Sequence, residues 1–215
     1  MLIVCTANAI RSPFLEHLLR ARLSGTGLTP PVIESAGSAA RPGRAAEPRI
    51  VEIGRAHGLD IHAHRTRRLD ERMLASGVTV LCAAAIHRRT VLDMRPDLLD
   101  TTFTVREFAR LLSEQTDPRG IRGDWGALAE AAARLRSRPR RGAAGDDDLV
   151  DPIGAPTEVW DEFERNAVEA VEGIVHHAVR LLRPSGQTAR IDPPPQTRRE
   201  WRAARTLLDS PQTPR

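Results

Sequence analysis

The sequence predicts an α/β fold: a single three-layer domain in which a central four-stranded parallel sheet is flanked by helices. Four short apolar segments have the composition of buried strands, and each is followed by a segment with helical periodicity. Alternating strands and helices favour right-handed crossovers, which make neighbouring strands parallel. The length of 215 residues is sufficient for one such domain and a flexible C-terminal tail.

The predicted strands are short runs rich in Val, Ile, Leu and Thr. Runs of this kind, bounded by turn-forming residues, are typical of strands that are buried in a parallel sheet. They comprise residues 2–5, 31–35, 78–82 and 102–105.

The helices are predicted from apolar residues that recur on one face. In the first helix we expect Ser12 to cap the N-terminus, with Pro13 at the first helical position. Glu16 and His17 are expected to be exposed residues of this helix that take no part in function. The helical segments are 12–23, 47–57, 68–75, 86–92, 106–112, 125–136 and 157–182, the last ended by Pro184.

Composition along the chain divides it into a domain, residues 1–183, and a basic, Pro-rich tail, residues 184–215. The formal net charge is +4, and most of the excess of Arg over acidic residues lies in the tail. Within the domain, residues 113–148 change to an Arg-rich run followed by Gly and Asp, which predicts a surface insertion. We expect the tail to be a disordered, solvated extension.

The composition also excludes several classes of protein. No apolar run is long enough for a transmembrane helix or a secretory signal, so we expect a cytoplasmic protein with no membrane partner. The tail has one Trp and no Lys, and we expect no nucleic-acid partner. Two cysteines, Cys5 and Cys82, are too few for a disulfide framework, so each is considered for its own chemistry.

The turn between the first strand and the first helix, residues 6–11, predicts an anion site. Backbone N–H groups of the turn and the positive end of the helix converge where a phosphate-sized dianion can bind. The same field favours ionisation of a thiol, so we expect Cys5 to be a nucleophilic thiolate near neutral pH. Arg11 can fold back and bind two phosphate oxygens with its planar guanidinium, and Ser12 can donate a hydrogen bond to the sulfur.

The residues Val4, Cys5, Arg11, Ser12 and Pro13, with five residues between Cys5 and Arg11, resemble the phosphate-binding loop of the low-molecular-weight protein tyrosine phosphatase family. This family includes members similar to protein arginine phosphatases. The resemblance extends over most of residues 1–183, and the family fold agrees with the four-stranded sheet predicted above. Supporting segments, in the expected order, are 34–37, 46–48, 58–65, 87–89, 103–108 and 151–152.

The resemblance implies a metal-free phosphatase that hydrolyses phosphorylated protein side chains through a phosphocysteine intermediate. Cys5 corresponds to the nucleophile, Arg11 to the phosphate-binding guanidinium and Asp151, before Pro152, to the general acid; Asp148 is the rival acid. The implied partners are a phosphorylated protein substrate and inorganic phosphate or another oxyanion in the loop, with no cofactor.

The resemblance also assigns residues that support the loop. Ser35 and His64 match residues that brace Asn8 and Ser12 by hydrogen bonds, and Asn is suited to the unusual backbone conformation expected at position 8. The loop and its support therefore comprise Thr6, Ala7, Asn8, Ala9, Ile10, Ser12, Ser35 and His64.

Four positions depart from the family pattern. Ala7 stands where Gly is usual, and a positive φ there would cost Ala about 1 kcal/mol. Ile10 replaces a second Cys that could protect Cys5 as a disulfide. Ala9 leaves open the choice between phosphotyrosine and phosphoarginine, and Ile153 replaces an aromatic residue that would stack on a phosphotyrosine ring.

Two other functions stay open. Arsenate reductases on the same fold use a similar loop, and here such an activity would need a small-thiol partner, or Cys82 as a second thiol. A phosphate-binding module without turnover is the other alternative. A metal site is not expected, because no carboxylate or Cys stands at ligand spacing from the histidines His57, His62, His64 and His87.

Overall fold

Strands and helices alternate in a computed structural model that describes residues 1–115, 124–136 and 147–182. These residues all belong to one unit, Met1–Arg183. The strands are β1 (Leu2–Cys5), β2 (Glu34–Gly37), β3 (Val80–Cys82) and β4 (Thr102–Thr104). The α-helices are α1 (Arg11–Leu23), α2 (Pro48–Ala56), α3 (Ala85–Met94), α4 (Val105–Glu114), α5 (Trp125–Leu135) and α6 (Thr157–Leu182).

The four strands form one parallel sheet in the order β2-β1-β3-β4, which confirms the predicted fold. In the register of the sheet Ile3 lies beside Ser35, and Val4 lies beside Cys82. Because β1 has a neighbour on both sides, the loop that follows Cys5 leaves the middle of the carboxyl edge. Ligands of open α/β sheets bind at this edge.

The sheet separates two apolar clusters, one on each face. Ile3, Leu81 and Phe103 belong to the larger cluster, which also contains buried residues of α1, α4, α5 and α6. Val4 and Cys82 belong to the smaller cluster, which contains Val91 of α3. Alternate side chains of a strand point to opposite faces, so this arrangement produces the three predicted layers.

Helix α1 differs from its prediction at the N-terminus. The residue that caps it is Ile10, whose side chain makes no capping bond, and Ser12 lies inside the first turn. The expectation that Glu16 is exposed is also wrong, since this residue is 7% exposed and its carboxylate lies 2.7 Å from Arg20. Burial of Glu16 was not visible from the helical pattern, because it depends on what packs against α1.

Two further predicted elements differ in the structure. The helix expected over residues 68–75 is only a short 3₁₀ turn, Glu71–Met73. Helix α5 lies within the predicted surface insertion 113–148, yet its residues Leu128 and Ala132 are buried in the larger core cluster. This helix is therefore part of the core, because its Ala- and Leu-rich face packs against α4 and α6.

Two side chains at the ends of α5 also hold this helix to the rest of the domain. Trp125 Nε1 donates a hydrogen bond to the Thr29 carbonyl at 3.2 Å, and the Arg136 guanidinium lies 4.4 Å from the centre of the Phe103 ring. The other residues of the predicted insertion, and the predicted tail 184–215, lie outside the described residues. Within the described ranges, no helix is long and apolar enough to span a membrane.

Candidate active site

The site is built around Cys5, the last residue of β1, at the start of the loop that leads into α1. Cys5 is 2% exposed, and its Sγ lies 3.0 Å from the Ser12 hydroxyl oxygen. The backbone N–H of Asn8 points at the same sulfur, with a distance of 3.3 Å from N to Sγ. Both groups can donate hydrogen bonds to a thiolate, and donors of this kind stabilise the charged form of the sulfur.

Asn8 fixes the shape of the loop. Its φ of 54° is the only positive φ of a non-glycine residue in the described part of the chain. Its side-chain amide donates to the hydroxyls of Ser12, at 2.9 Å, and Ser35, at 2.8 Å. The amide oxygen accepts from the Arg67 backbone N–H at 2.8 Å. The backbone strain therefore falls on Asn8, and Ala7 does not carry the cost that a positive φ would impose.

His64 holds the loop from the other side. Its Nε2 lies 2.8 Å from the backbone oxygen of Asn8, and since a carbonyl only accepts, His64 is the donor. Burial lowers the pKa of His64, although the hydrogen bond to Asn8 and the charge of Glu16 act against this shift. The structure thus brings together Asn8, Ser12, Ser35 and His64 around the sulfur-bearing loop.

Gly37, the last residue of β2, lets this loop lie close to the sheet. A Cβ atom at Gly37 would lie 2.6 Å from the Thr6 carbonyl oxygen and 2.7 Å from the Asn8 nitrogen. Both are backbone atoms that cannot move independently of the loop. A residue without a side chain is therefore required at this position.

Arg11 extends across the loop to the segment that precedes α6. One terminal nitrogen donates to the Leu149 carbonyl at 3.3 Å. The other donates to the Thr6 hydroxyl at 3.2 Å and to Asp151 Oδ2 at 2.5 Å. Arg11 is buried, whereas the Asp151 side chain is 40% exposed, so the ion pair lies at the mouth of the site.

The two candidate acids have different surroundings. Asp151 is bonded to Arg11, and its Oδ1 accepts from the Ile153 backbone N–H at 3.3 Å in a turn around Pro152. Asp148 accepts from the backbone N–H of Ala85, the first residue of α3, at 2.8 Å. Because Asp148 is engaged in capping α3, the geometry favours Asp151 as the residue beside the reaction centre.

His87 is a site residue that the sequence analysis did not assign a role. Its Nε2 lies 2.9 Å from the Thr6 hydroxyl oxygen, so Arg11 and His87 meet on the same side chain. Burial, with a smaller effect from the charge of Arg11, lowers the pKa of His87 to about 4. One signal in the sequence could have identified His87: it lies in the first helical turn after β3. The parallel topology places this turn next to the loop after β1.

The buried Nδ1 of His87 has no hydrogen-bond partner in the structure. Because buried N–H groups without a partner are rare, we assign the proton of the neutral ring to Nε2. His87 then donates to Thr6, and the Thr6 hydroxyl accepts from both His87 and Arg11. The hydroxyl hydrogen of Thr6, which is an exposed residue, is left to donate to a bound oxyanion.

The positions that depart from the family pattern lie in different environments. Ile10 is buried in the larger core cluster, whereas Ala9 is half-buried and its carbonyl accepts from the Glu47 N–H at 2.9 Å. Ile153 is 62% exposed, two residues beyond Asp151. An exposed apolar side chain next to the proposed acid can contact the organic part of a substrate.

Cys82 is a poor partner for Cys5. It is fully buried on the sheet face that Val4 also occupies, and burial raises the pKa of its thiol well above the ordinary range. A thiol that stays protonated and has no access to solvent does not attack a neighbouring adduct. Neither cysteine forms a disulfide.

The histidines expected not to form a metal site lie in separate places. His57 is bonded to Glu164 at 2.7 Å, His64 to the Asn8 carbonyl and His87 to Thr6, whereas His62 is exposed. Across residues 1–115, 124–136 and 147–182, no group of three or more His, Cys, Asp or Glu residues has an arrangement that could hold a metal ion.

Comparison with known proteins identifies relatives of this chain by sequence and by structure. The sequence model of the family described as low molecular weight phosphotyrosine protein phosphatase matches residues 1–136. Among curated proteins, the probable low molecular weight protein-tyrosine-phosphatase EpsP of Ralstonia solanacearum is 31% identical over 107 residues, or 50% of this chain and 70% of that protein. A protein-arginine-phosphatase of Geobacillus stearothermophilus is 25% identical over 169 residues, or 76% of this chain and 88% of that protein.

Solved structures show the same architecture. The low molecular weight protein tyrosine phosphatase from T. tengcongensis is 27% identical, with a TM-score of 0.58 over 81% of this chain and 96% of that one. A YwlE arginine phosphatase mutant with a phosphorylated active-site serine has a TM-score of 0.60 at 20% identity, over 82% of this chain and 93% of that one. At this identity the second similarity shows the fold alone.

Proposed function

Since the chain belongs to the low molecular weight phosphotyrosine protein phosphatase family and is a phosphoric monoester hydrolase, we propose that Cys5, Arg11 and Asp151 carry out its reaction. One observation carries this proposal: Arg11 contacts both the phosphate loop, at Thr6, and Asp151. The residues proposed to bind phosphate and to transfer a proton are thus within reach of the same substrate group. Cys5 lies in that loop, directly before Thr6.

In the first step the Cys5 thiolate attacks phosphorus opposite the leaving oxygen. The S–P bond forms, the P–O bond breaks, and Asp151 transfers its proton to the departing oxygen. Arg11 and the backbone N–H groups of the loop bind the three equatorial oxygens, where negative charge accumulates. For this Arg11 exchanges the Asp151 carboxylate for phosphoryl oxygens. The freed carboxylate takes up a proton from solvent and then faces the leaving group as the acid.

In the second step the phosphocysteine is hydrolysed. Asp151, now a carboxylate, accepts a proton from water while the water oxygen attacks phosphorus and the P–S bond breaks. The Ser12 hydroxyl, 3.0 Å from Sγ, donates a hydrogen bond to the departing thiolate. The products are inorganic phosphate and the regenerated thiolate, with no metal and no oxidant consumed.

We propose phosphorylated protein side chains, phosphotyrosine-like or phosphoarginine-like, as the substrates. Relatives of both kinds support this class: EpsP is named as a tyrosine phosphatase and the Geobacillus protein as an arginine phosphatase. The small Ala9 and the exposed Ile153 border the site without an aromatic ring to select phosphotyrosine. Hydrolysis of matched phosphotyrosyl and phosphoarginyl peptides, compared as kcat/KM, separates the two specificities.

The decisive experiment for catalysis uses para-nitrophenyl phosphate and a matched pair of cysteine variants. We expect Cys5→Ser to lose turnover by at least about a thousandfold, because a hydroxyl at this position is a much weaker nucleophile. Cys82→Ser, which changes a buried cysteine outside the site, should retain turnover. Mass spectrometry of the acid-quenched enzyme should detect one phosphoryl group on Cys5. Turnover that survives in Cys5→Ser contradicts the proposal, and wild-type protein that binds phosphate without turnover indicates a phosphate-binding module.

A further inference from the structure

Two loops next to the phosphate site carry exposed arginines that the proposed reaction does not use. The first loop, residues 38–47, follows β2, and the second, residues 64–68, follows α2. We call the four exposed guanidinium-bearing residues of these loops the basic rim. The basic rim consists of Arg41, Arg44, Arg65 and Arg68.

The first loop is fixed to the phosphate loop at both ends. The backbone N–H of Ala39 donates to the Thr6 carbonyl at 2.9 Å, and that of Glu47 donates to the Ala9 carbonyl at 2.9 Å. Arg41 is two residues from Ala39, and two residues of chain span at most about 7 Å. Its side chain therefore starts close to the edge of the phosphate site.

The second loop is fixed to the first and to the site. The Thr66 hydroxyl bonds to the Arg41 carbonyl and to the Arg44 N–H, and residues 45 and 65 form an isolated β-bridge. His64 and Arg67 bond directly to Asn8. The backbone under the basic rim is thus held at several points.

No arginine of the basic rim has a carboxylate partner among the described residues. Several carboxylates close in sequence are engaged elsewhere: Glu34 pairs with Arg67, Glu47 caps α2, Asp60 bonds to the His62 N–H and Asp70 bonds to the Arg72 N–H. Arg65 uses one nitrogen for the carbonyls of His62 and His64 and stays exposed. Four exposed like charges with no carboxylate partner in the described part of the chain create a positive potential over this side of the site.

The basic rim and the two candidate acids lie on different sides of the site. The sheet order places the loop after β2 on one side of β1 and the start of α3 on the other. The basic rim lies on the first side, whereas Asp148 and Asp151 lie near the second. A substrate segment with carboxylates would be attracted to the side of the basic rim, which favours one direction of binding.

We propose that the basic rim binds acidic residues that flank the phosphorylated residue of the protein substrate, an inference that rests on the proposed phosphatase activity. An acidic peptide fits better than a nucleic acid, because single-stranded nucleic acids bind to exposed aromatic side chains as well as to charge. The aromatic residues of the described chain are buried: Phe14, Phe103, Phe108, Phe163, Trp125 and Trp160.

The test measures peptides as competitive inhibitors of para-nitrophenyl phosphate hydrolysis, so that it reports peptide binding and does not require the peptide to be hydrolysed. Two phosphotyrosyl peptides differ only in carrying Glu or Gln at the flanking positions. We expect the inhibition constant of the Glu peptide to be about tenfold lower, and the difference to shrink at high salt because exposed charges are screened. Para-nitrophenyl phosphate has no flanking residues, so its hydrolysis should not depend on the basic rim.

The variant Arg41→Gln/Arg44→Gln should reduce the preference to about twofold while kcat and KM for para-nitrophenyl phosphate stay unchanged. The matched control Arg55→Gln/Arg165→Gln removes the same charge from exposed positions of α2 and α6 and should retain the preference. Equal inhibition by the two peptides, or none by either, overturns the role of the basic rim. The proposal is also overturned if Arg41→Gln/Arg44→Gln keeps the wild-type preference for the Glu peptide over the Gln peptide. It is likewise overturned if a single-stranded oligonucleotide inhibits and the Glu peptide does not. If the wild-type protein does not hydrolyse para-nitrophenyl phosphate at all, the proposed phosphatase function itself is contradicted.

Discussion

Arg11 and Asp151, separated by 140 positions in the chain, are joined by a 2.5 Å contact between a guanidinium nitrogen and Oδ2. The residue proposed to bind phosphate is therefore paired with the residue proposed to transfer the proton. A phosphate dianion that enters the loop competes with the Asp151 carboxylate for Arg11. Phosphate binding and release of the acid are thereby linked through one guanidinium group.

This link predicts opposite effects of Asp151→Asn on binding and catalysis. We expect kcat for an aryl phosphate to fall by about 10²- to 10⁴-fold, because the general acid is lost. The dissociation constant of inorganic phosphate should fall severalfold, because the carboxylate no longer competes for Arg11. Steady-state kinetics and calorimetric titration with phosphate measure the two quantities.

Asp148→Asn is the matched control for that prediction. Since the amide oxygen of Asn can still accept from the Ala85 N–H at the start of α3, this replacement should change stability by less than about 1 kcal/mol and leave kcat nearly unchanged. A larger loss of kcat in Asp148→Asn than in Asp151→Asn would assign the acid to Asp148 instead.

Asn8→Ala should destabilise the folded protein by about 2 to 4 kcal/mol. The variant loses the side-chain hydrogen bonds to Ser12, Ser35 and Arg67 and places Ala at a positive φ. Asn8→Gly loses the same bonds but accepts this backbone conformation, so it should be about 1 kcal/mol more stable than Asn8→Ala. Urea denaturation measures both, and a wild-type midpoint for Asn8→Ala would show that the loop does not depend on this side chain.

Gly37→Ala should disrupt the phosphate loop. The new Cβ would lie within 2.7 Å of backbone atoms of Thr6 and Asn8, which predicts a destabilisation on the order of 3 kcal/mol and loss of aryl phosphatase activity. Gly173→Ala is the matched control, since its Cβ would lie at an ordinary 3.7 Å from Ala109 inside α6. That control should gain about 0.5 to 1 kcal/mol, and equal thermal stability of the two variants would refute the close approach at Gly37.

Because of His87, we expect the folded protein to lose stability when the pH is lowered. The pKa of its imidazole is lowered from 6.5 to about 4 in the folded protein, so between these values the unfolded chain binds more protons than the folded one. The free energy of unfolding should therefore decrease as the pH falls through this window, with up to about 3 kcal/mol from His87. Urea denaturation at about pH 7 and about pH 4.5 measures the decrease.

His87→Gln keeps a side chain that can bond to Thr6 but removes the titrating ring, so its stability should change less with pH. The exposed His62, replaced in His62→Gln, is the matched control and should show the wild-type decrease. An identical pH dependence in the wild-type protein and in His87→Gln would exclude His87 as the source.

Much of the site could be predicted because its central part is local. The loop between Cys5 and Arg11 joins one buried strand to one helix, and the resemblance of this short segment carried most of the functional inference. The four strands were recognisable from their apolar composition, and their alternation with helices was sufficient to predict a parallel sheet.

Other features depended on contacts between distant parts of the chain. The role expected for Ser12 as a helix cap was wrong because its hydroxyl bonds instead to Asn8 and lies against Cys5. Helix α5 is buried because α4 and α6 offer it an apolar surface, which its Arg-rich neighbours in the sequence do not indicate. Burial is a property of the partner surface as much as of the residue itself.

The sequence by itself determined the order of strands and helices, the position of the thiol at the end of β1 and the family to which the chain belongs. Only the tertiary structure decided that Asp151 rather than Asp148 meets Arg11 and that His87 reaches Thr6. It also decided that no arginine of the basic rim pairs with a carboxylate of the described residues. The physical reason is that periodicity and capping act over a few residues, whereas hydrogen bonds and ion pairs depend on distances set by the packing of the whole domain.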